Sequence, residues 1–176
     1  YSSAGYEVLA ETVEKASGID FSEYLHQAVA EPLQLTSTRL EGPAGHAAVS
    51  SVDDLTRFAS DLLDPRLLSA PTAQRAVAVA FPGLDGFVPG YGRHRPNDWG
   101  LGPEIRGHKE PHWTAPSHSP STFGHFGQAG TFLWVDPVRR AAGIVLTDRA
   151  FGPWCKPLWS EFNEAVVQAL DAGEIA

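Results

Sequence analysis

Methionine is absent from the 176 residues, cysteine occurs once and lysine only three times. A chain that opens on Tyr1 and contains no methionine reads as a processed or truncated piece of a longer protein. The single cysteine, Cys155, excludes an internal disulfide framework and a cysteine-only zinc site. Long apolar runs are missing too; none approaches the roughly 20 residues that span a bilayer. Basic residues are outnumbered 13 to 21, and the net charge of −8 argues against a nucleic-acid partner. What remains is an ordinary globular composition, 43% hydrophobic, with enough chain for one core. The compartment stays open, cytoplasmic or exported, because a leader would precede Tyr1.

The periodicity predicts helices first. Tyr6, Leu9, Val13 and Ala16 share one face of a helix over 4–16, which Gly18 ends. Asp20 with Glu23 three residues on reads as a capping box opening a second helix, stopped by Pro32. Ser51 and Asp54 form another such box, ahead of Leu55, Phe58, Ala59, Leu62 and Leu63 at core-facing spacing. A shorter helix starts near Pro71.

From residue 81 glycine and proline punctuate the chain, with Trp99-Gly100-Leu101-Gly102 and Ile105 as the expected strand. Residues 131–135 and 142–147 flank the turn Asp136-Pro137-Val138-Arg139-Arg140 and predict an antiparallel hairpin. A last helix from about Pro157 carries Trp159, Phe162, Val166 and Leu170 at helical spacing. This order gives an α+β fold, an antiparallel sheet flanked by helices. It divides into a mainly helical part, 1–80, and a sheet region with a C-terminal helix, 81–176, and no linker separates independent domains.

Walker, Gly-x-Gly-x-x-Gly and Gly-x-Ser-x-Gly signatures are absent. His108, His112, His118 and His125 invite a zinc reading, but Pro111 and the lack of supporting ligands favour solvated loop histidines, and no cofactor is expected. Two segments carry more. In Tyr1-Ser2-Ser3-Ala4-Gly5-Tyr6, hydroxyls precede a helix and suit its N-cap. In Gly124-His125-Phe126-Gly127-Gln128-Ala129-Gly130, the glycines mark either a bulge or a place where substrate approaches the backbone.

Taken in order, Tyr1-Ser2-Ser3, Glu31-Pro32-Leu33, Ser50-Ser51-Val52-Asp53-Asp54-Leu55, Trp99-Gly100-Leu101-Gly102, Gly124-His125-Phe126-Gly127 and Val135-Asp136-Pro137 resemble the serine β-lactamase superfamily. The branch they resemble holds class C β-lactamases, D-alanyl-D-alanine carboxypeptidases and related esterases. The resemblance implies a β-lactamase/transpeptidase-like fold with its N-terminal part missing, and acyl transfer through an acyl-serine. It implies Tyr1 as the proton-transfer tyrosine and Ser3 where the motif has asparagine. His125 would stand where many members have lysine, Gly127 would close the Lys/His-x-Gly strand, and the Gln128 N–H would be an oxyanion donor. Phe126 replaces the hydroxyl of penicillin-recognising members, so the implied substrate is a small ester, amide or peptide-like molecule.

No Ser-x-x-Lys motif is present. The nearest pattern, Thr12 with Lys15, reads as a solvated helix face, and the piece alone is expected to be inactive. The implied partners are the missing N-terminal segment or another chain along an exposed sheet edge. The alternative reading, a binding or scaffold protein that kept the fold and lost the chemistry, draws on Ser3 and Phe126.

Overall fold

The computed structural model describes residues 2–175 and divides the chain into two compact units, meeting in sequence at Leu67 and Leu68.

In the first unit α1 spans Ala4–Ser17, and Gly18 ends it in the left-handed region as expected. The predicted apolar face is only partly used: Ala10 is buried, whereas Leu9 is 51% exposed. The second helix differs more. α2 covers Phe21–Leu25 and continues as a π-turn over His26–Ala30, where Glu31 N–H reaches the His26 carbonyl at 2.8 Å. Asp20 caps it through Ser22 N–H at 2.8 Å, while Glu23 accepts from Gln27, so the expected reciprocal box is half formed. A two-stranded ribbon follows, β1 (Arg39–Leu40) against β2 (Ala48–Val49).

α3 (Val52–Leu63) begins at the predicted cap, with the Ser51 hydroxyl accepting from Asp54 N–H. The Asp54 carboxylate does not return to Ser51. It is buried, taking Ser37 N–H at 2.8 Å and the Thr38 hydroxyl at 2.7 Å, and so ties the loop after the π-turn to α3. Ala30, Leu33 and Leu35 form the core here, with Val29, Phe58 and Leu67 packed against them.

The second unit opens with α4 (Ala70–Val77), capped by Ser69 with Pro71 in its first turn. The hairpin of β3 (Gly86–Val88) and β4 (Gly92–His94) follows. The main sheet has four antiparallel strands in sequence order: β5 (Glu104–Ile105), β6 (Phe123–Gly127), β7 (Thr131–Asp136) and β8 (Ala141–Val145). The expected strand over 99–102 is instead a tight return. Gly100 N–H bonds to the Pro103 carbonyl, and Trp99 bridges back to Glu104.

The sheet packs on α5 (Cys155–Ala172) through an aromatic core of Tyr91, Trp113, Phe126, Phe132, Trp134 and Trp159. Trp134 lies across from Gly143, where any Cβ would run into the indole. Phe162, expected on the apolar stripe of α5, is 51% exposed, and Asn163 points inward instead. The Asn163 amide accepts from Trp134 Nε1–H at 2.9 Å and donates to the Trp113 carbonyl at 3.1 Å, satisfying two buried groups with one side chain. Among the described residues no helix is long and apolar enough to cross a membrane.

Asp136 ends β7 fully buried, collecting the Ser119 N–H and hydroxyl, the turn amides of Val138 and Arg139, and the Arg139 guanidinium. Arg139 reaches on to Asp171 on α5 with paired bonds of 2.8 Å.

Candidate active site

Tyr1 lies outside the described residues. Ser3, in the first unit, occupies the N-cap of α1, yet its hydroxyl makes no cap bond; Ser2 takes Ala4 N–H at 3.1 Å instead. Thr12 and Lys15 go separate ways, Thr12 to the Val8 carbonyl and Lys15 to Glu11, both exposed.

His125, Gly127 and Gln128 come together at one end of the β6–β7 pair, where Gly127 faces Thr131. Residues 127–130 form the connecting turn. Gly130 sits there at φ +79°, with the Arg149 carbonyl pressed where a side chain would be. Gly130 N–H bonds to the Gly127 carbonyl at 3.0 Å. In a planar trans peptide C=O and N–H point opposite ways, so the Gln128 N–H is aimed out of the turn. The segment after β8 braces this turn: Phe151 N–H donates to the Gln128 carbonyl at 2.9 Å and Thr147 to the Gly130 carbonyl at 2.8 Å.

Alternation along β6 separates His125 from Phe126. His125 keeps 29% of its side chain exposed, with the Trp99 ring tilted against it at 5.1 Å between centroids. Phe126 is buried, stacked on Phe151 at 4.8 Å and edge-on to Trp159 at 5.7 Å. It is a core residue rather than part of a substrate-facing surface.

Behind His125 lies a charge that sequence reasoning missed. Glu104 on β5 is fully buried, with Oε1 at 3.1 Å from Lys109 Nζ and 3.3 Å from His112 Nε2. Its Oε2 accepts from Trp113 Nε1–H at 2.9 Å and stands 3.7 Å from His125 Nδ1. Burial raises the Glu104 pKa, but the contacts from His112 and His125 and the charge of Lys109 override it. The carboxyl is held well below the usual range. Lys109 also donates to the Asp98 and Ile105 carbonyls. The only hint in the sequence was a lysine in a chain with three.

Of the four histidines expected as solvated loop residues, His108 is exposed and His125 partly so, but the other two are not. His112 and His118 are buried. Thr114 N–H donates to His112 Nδ1 at 3.2 Å, which puts the ring proton on Nε2, facing Glu104. His118 Nδ1 accepts from Ala115 N–H at 3.2 Å, and its ring meets Trp134 edge-on at 4.5 Å. Among the described residues no group of three His, Cys, Asp or Glu side chains is arranged to hold a metal ion.

Burial lowers the His118 pKa to about 4. The unfolded chain therefore binds a proton near pH 6.5 that the folded chain refuses until about pH 4. Stability is complete above pH 6.5 and falls as pH drops through this window, by on the order of 2–3 kcal/mol for this ring. Burial also lowers the pKa of His94 and His112, which adds to the same trend. Urea titrations from pH 7 to 4 should show His118→Gln losing stability less steeply than wild type, by about one proton. Equal slopes would rule out a neutral buried His118.

The β-lactamase family profile matches residues 1–166. A β-lactamase of Mycobacterium bovis is 53% identical, with a TM-score of 0.94 over 97% of this chain and 64% of its own, so the 176 residues span less than two thirds of that relative. Simvastatin synthase of Aspergillus terreus superposes with a TM-score of 0.71 at 15% identity, covering 94% of this chain and 53% of its own. A hydrolase with promiscuous acyltransferase activity gives 0.73 at 19% identity, covering 94% and 55%. At those identities the likeness is one of fold. A comparison with curated proteins gives no significant match. With the profile covering nearly the whole chain and the expected β-lactamase-like fold in place, the chain belongs to the β-lactamase family.

Proposed function

We propose that the protein is a serine hydrolase that transfers or hydrolyses the acyl group of a small ester or amide through an acyl-serine. The observation that carries this reading is the end of the β6–β7 pair. There a half-exposed His125 precedes a braced turn whose Gln128 N–H is aimed outward. An outward backbone N–H is what an oxyanion requires, and such a donor is worth on the order of 10²–10³ in rate.

In this reading Gln128 N–H takes the developing oxyanion and His125 lines the same wall, while Tyr1 matches the family's proton-transfer tyrosine and Ser3 the position of its asparagine. An unperturbed tyrosine titrates near 10, so Tyr1 needs a neighbouring cation to act as a base at neutral pH. The nucleophilic serine and its lysine come from sequence outside these 176 residues, from a segment that pairs along the edge strand β8. Phe126, committed to the core, offers no hydroxyl to a β-lactam carboxylate, which favours esters over penicillins.

The test uses the full-length protein, a fluorophosphonate probe with mass spectrometry, and a panel of p-nitrophenyl esters and a chromogenic cephalosporin. The expected result is one labelled serine within a Ser-x-x-Lys sequence and faster turnover of the esters. The 176-residue chain alone should be unlabelled. A full-length protein that is neither labelled nor active on any of them refutes the proposal.

A further inference from the structure

The second unit holds a cavity of about 240 Å³ that shares no lining residue with the wall of His125, Gly127 and Gln128. Arg93, His94, Arg95, Asp98, Lys109 and Glu110 supply most of its wall. It is smaller than the roughly 300–1,000 Å³ of sites for drug-sized molecules, so a ligand here has few atoms. Two of the polar side chains are almost wholly buried, His94 at 5% exposure and Lys109 at 4%. His94 Nε2 is also buried without a hydrogen-bond partner, a condition that a bound water, ion or ligand accounts for. Burial, together with the charge of Lys109, lowers the His94 pKa. At pH 7 the ring is therefore neutral and brings a hydrogen-bonding group rather than a charge.

The charges around the cavity fall into two groups. Arg93 Nη2 and Arg95 Nε meet the same oxygen, Asp85 Oδ2, at 3.0 and 2.9 Å. Two guanidiniums thus share one carboxylate, which leaves one positive charge and several N–H donors unused. The other group surrounds Lys109. Its three N–H bonds go to Glu104 and to the Asp98 and Ile105 carbonyls, so it has no donor left and its charge is matched by Glu104. Glu110 lies in the field of Arg106, whose guanidinium bonds to the carbonyls of Ala115, Gly107 and Pro116. The Asp98 carboxylate takes part in no hydrogen bond or ion pair among the described residues. One unmatched positive charge at the Arg93–Arg95 end therefore faces one unmatched negative charge at Asp98.

We propose that this cavity binds a small zwitterion bearing one carboxylate and one ammonium group, a free amino acid. The carboxylate goes to Arg93 and Arg95, where guanidinium forks suit its geometry. The ammonium goes to Asp98, and His94 completes the polar wall. A simple anion would leave Asp98 unanswered and a simple cation would leave the arginine pair so; only a dipolar ion answers both.

Calorimetric titration of the full-length protein at pH 7 with glycine, N-acetylglycine, glycinamide and glycerol tests this. Glycine should bind saturably at one site. N-acetylglycine lacks the ammonium and glycinamide the carboxylate, and each should bind at least about tenfold more weakly, as expected for one lost charge-assisted contact. Arg95→Gln, at an exposed side chain, should weaken glycine about tenfold and leave glycinamide unchanged. Asp98→Asn should weaken glycine similarly and leave N-acetylglycine unchanged. Absence of saturable glycine binding overturns the proposal. So does N-acetylglycine, glycinamide or glycerol binding as tightly as glycine, since the site would then take an anion, a cation or a polyol. Glycine affinity unaltered in a folded Arg95→Gln protein places the binding elsewhere and also overturns it. If Asp98→Asn does not fold, the ligand series on the wild type still decides.

Discussion

Trp134→Ala should cost roughly 3–5 kcal/mol of unfolding free energy, the largest loss expected from any single truncation in the second unit. The indole is buried at the centre of the aromatic core and packed over Gly143, and it is edge-on to His118. Its removal opens a cavity that Gly143, with no side chain, cannot fill. The substitution also strips the donor from Asn163 Oδ1, leaving a buried acceptor unsatisfied beside the cavity. Urea unfolding followed by circular dichroism reads the effect without relying on the missing fluorophore. A loss below about 1 kcal/mol would mean that the sheet and α5 do not depend on this contact.

The second large effect is catalytic. In the full-length protein Tyr1→Phe should lower kcat on an ester substrate by about 10²–10⁴, the range associated with a positioned proton-transfer group. Phenylalanine keeps the ring while removing the hydroxyl that would carry the proton. KM should therefore move little, and acylation of the nucleophile should slow with kcat. A variant within twofold of the wild-type rate would take the proton-transfer role away from Tyr1.

Much of this architecture was legible in the sequence because it rests on local rules. Gly18 past the end of α1, Ser51 ahead of α3, and Asp136-Pro137 turning β7 into β8 each act within a few residues. The motif order led to the family for the same reason: it depends on sequence and not on contacts. What escaped was decided by partners far along the chain. Asn163 displaced Phe162 from the inner face of α5 because two tryptophans, 29 and 50 residues away, needed its amide. Asp54 read as half of a capping box, yet its carboxylate serves Ser37 and Thr38. His112 and His118 looked solvated because their neighbours are polar; Glu104 and Trp134 bury them. At the candidate site, the glycine-spaced segment holding His125, Gly127 and Gln128 drew attention in the sequence, whereas Glu104 behind His125 did not. A glutamate in a two-residue strand carries no sign of the four side chains that converge on it.

The Asp136–Arg139–Asp171 chain has a mechanical consequence. It joins the β7–β8 turn to the last turns of α5, at the end of the strands opposite the turn that follows His125. The hairpin is thus clamped at its far end, and the other end is held by backbone bonds from the segment after β8. A strand pair anchored at both ends behaves as a fixed beam rather than a cantilever, so the direction in which the Gln128 N–H points is set by the frame and not by the turn alone.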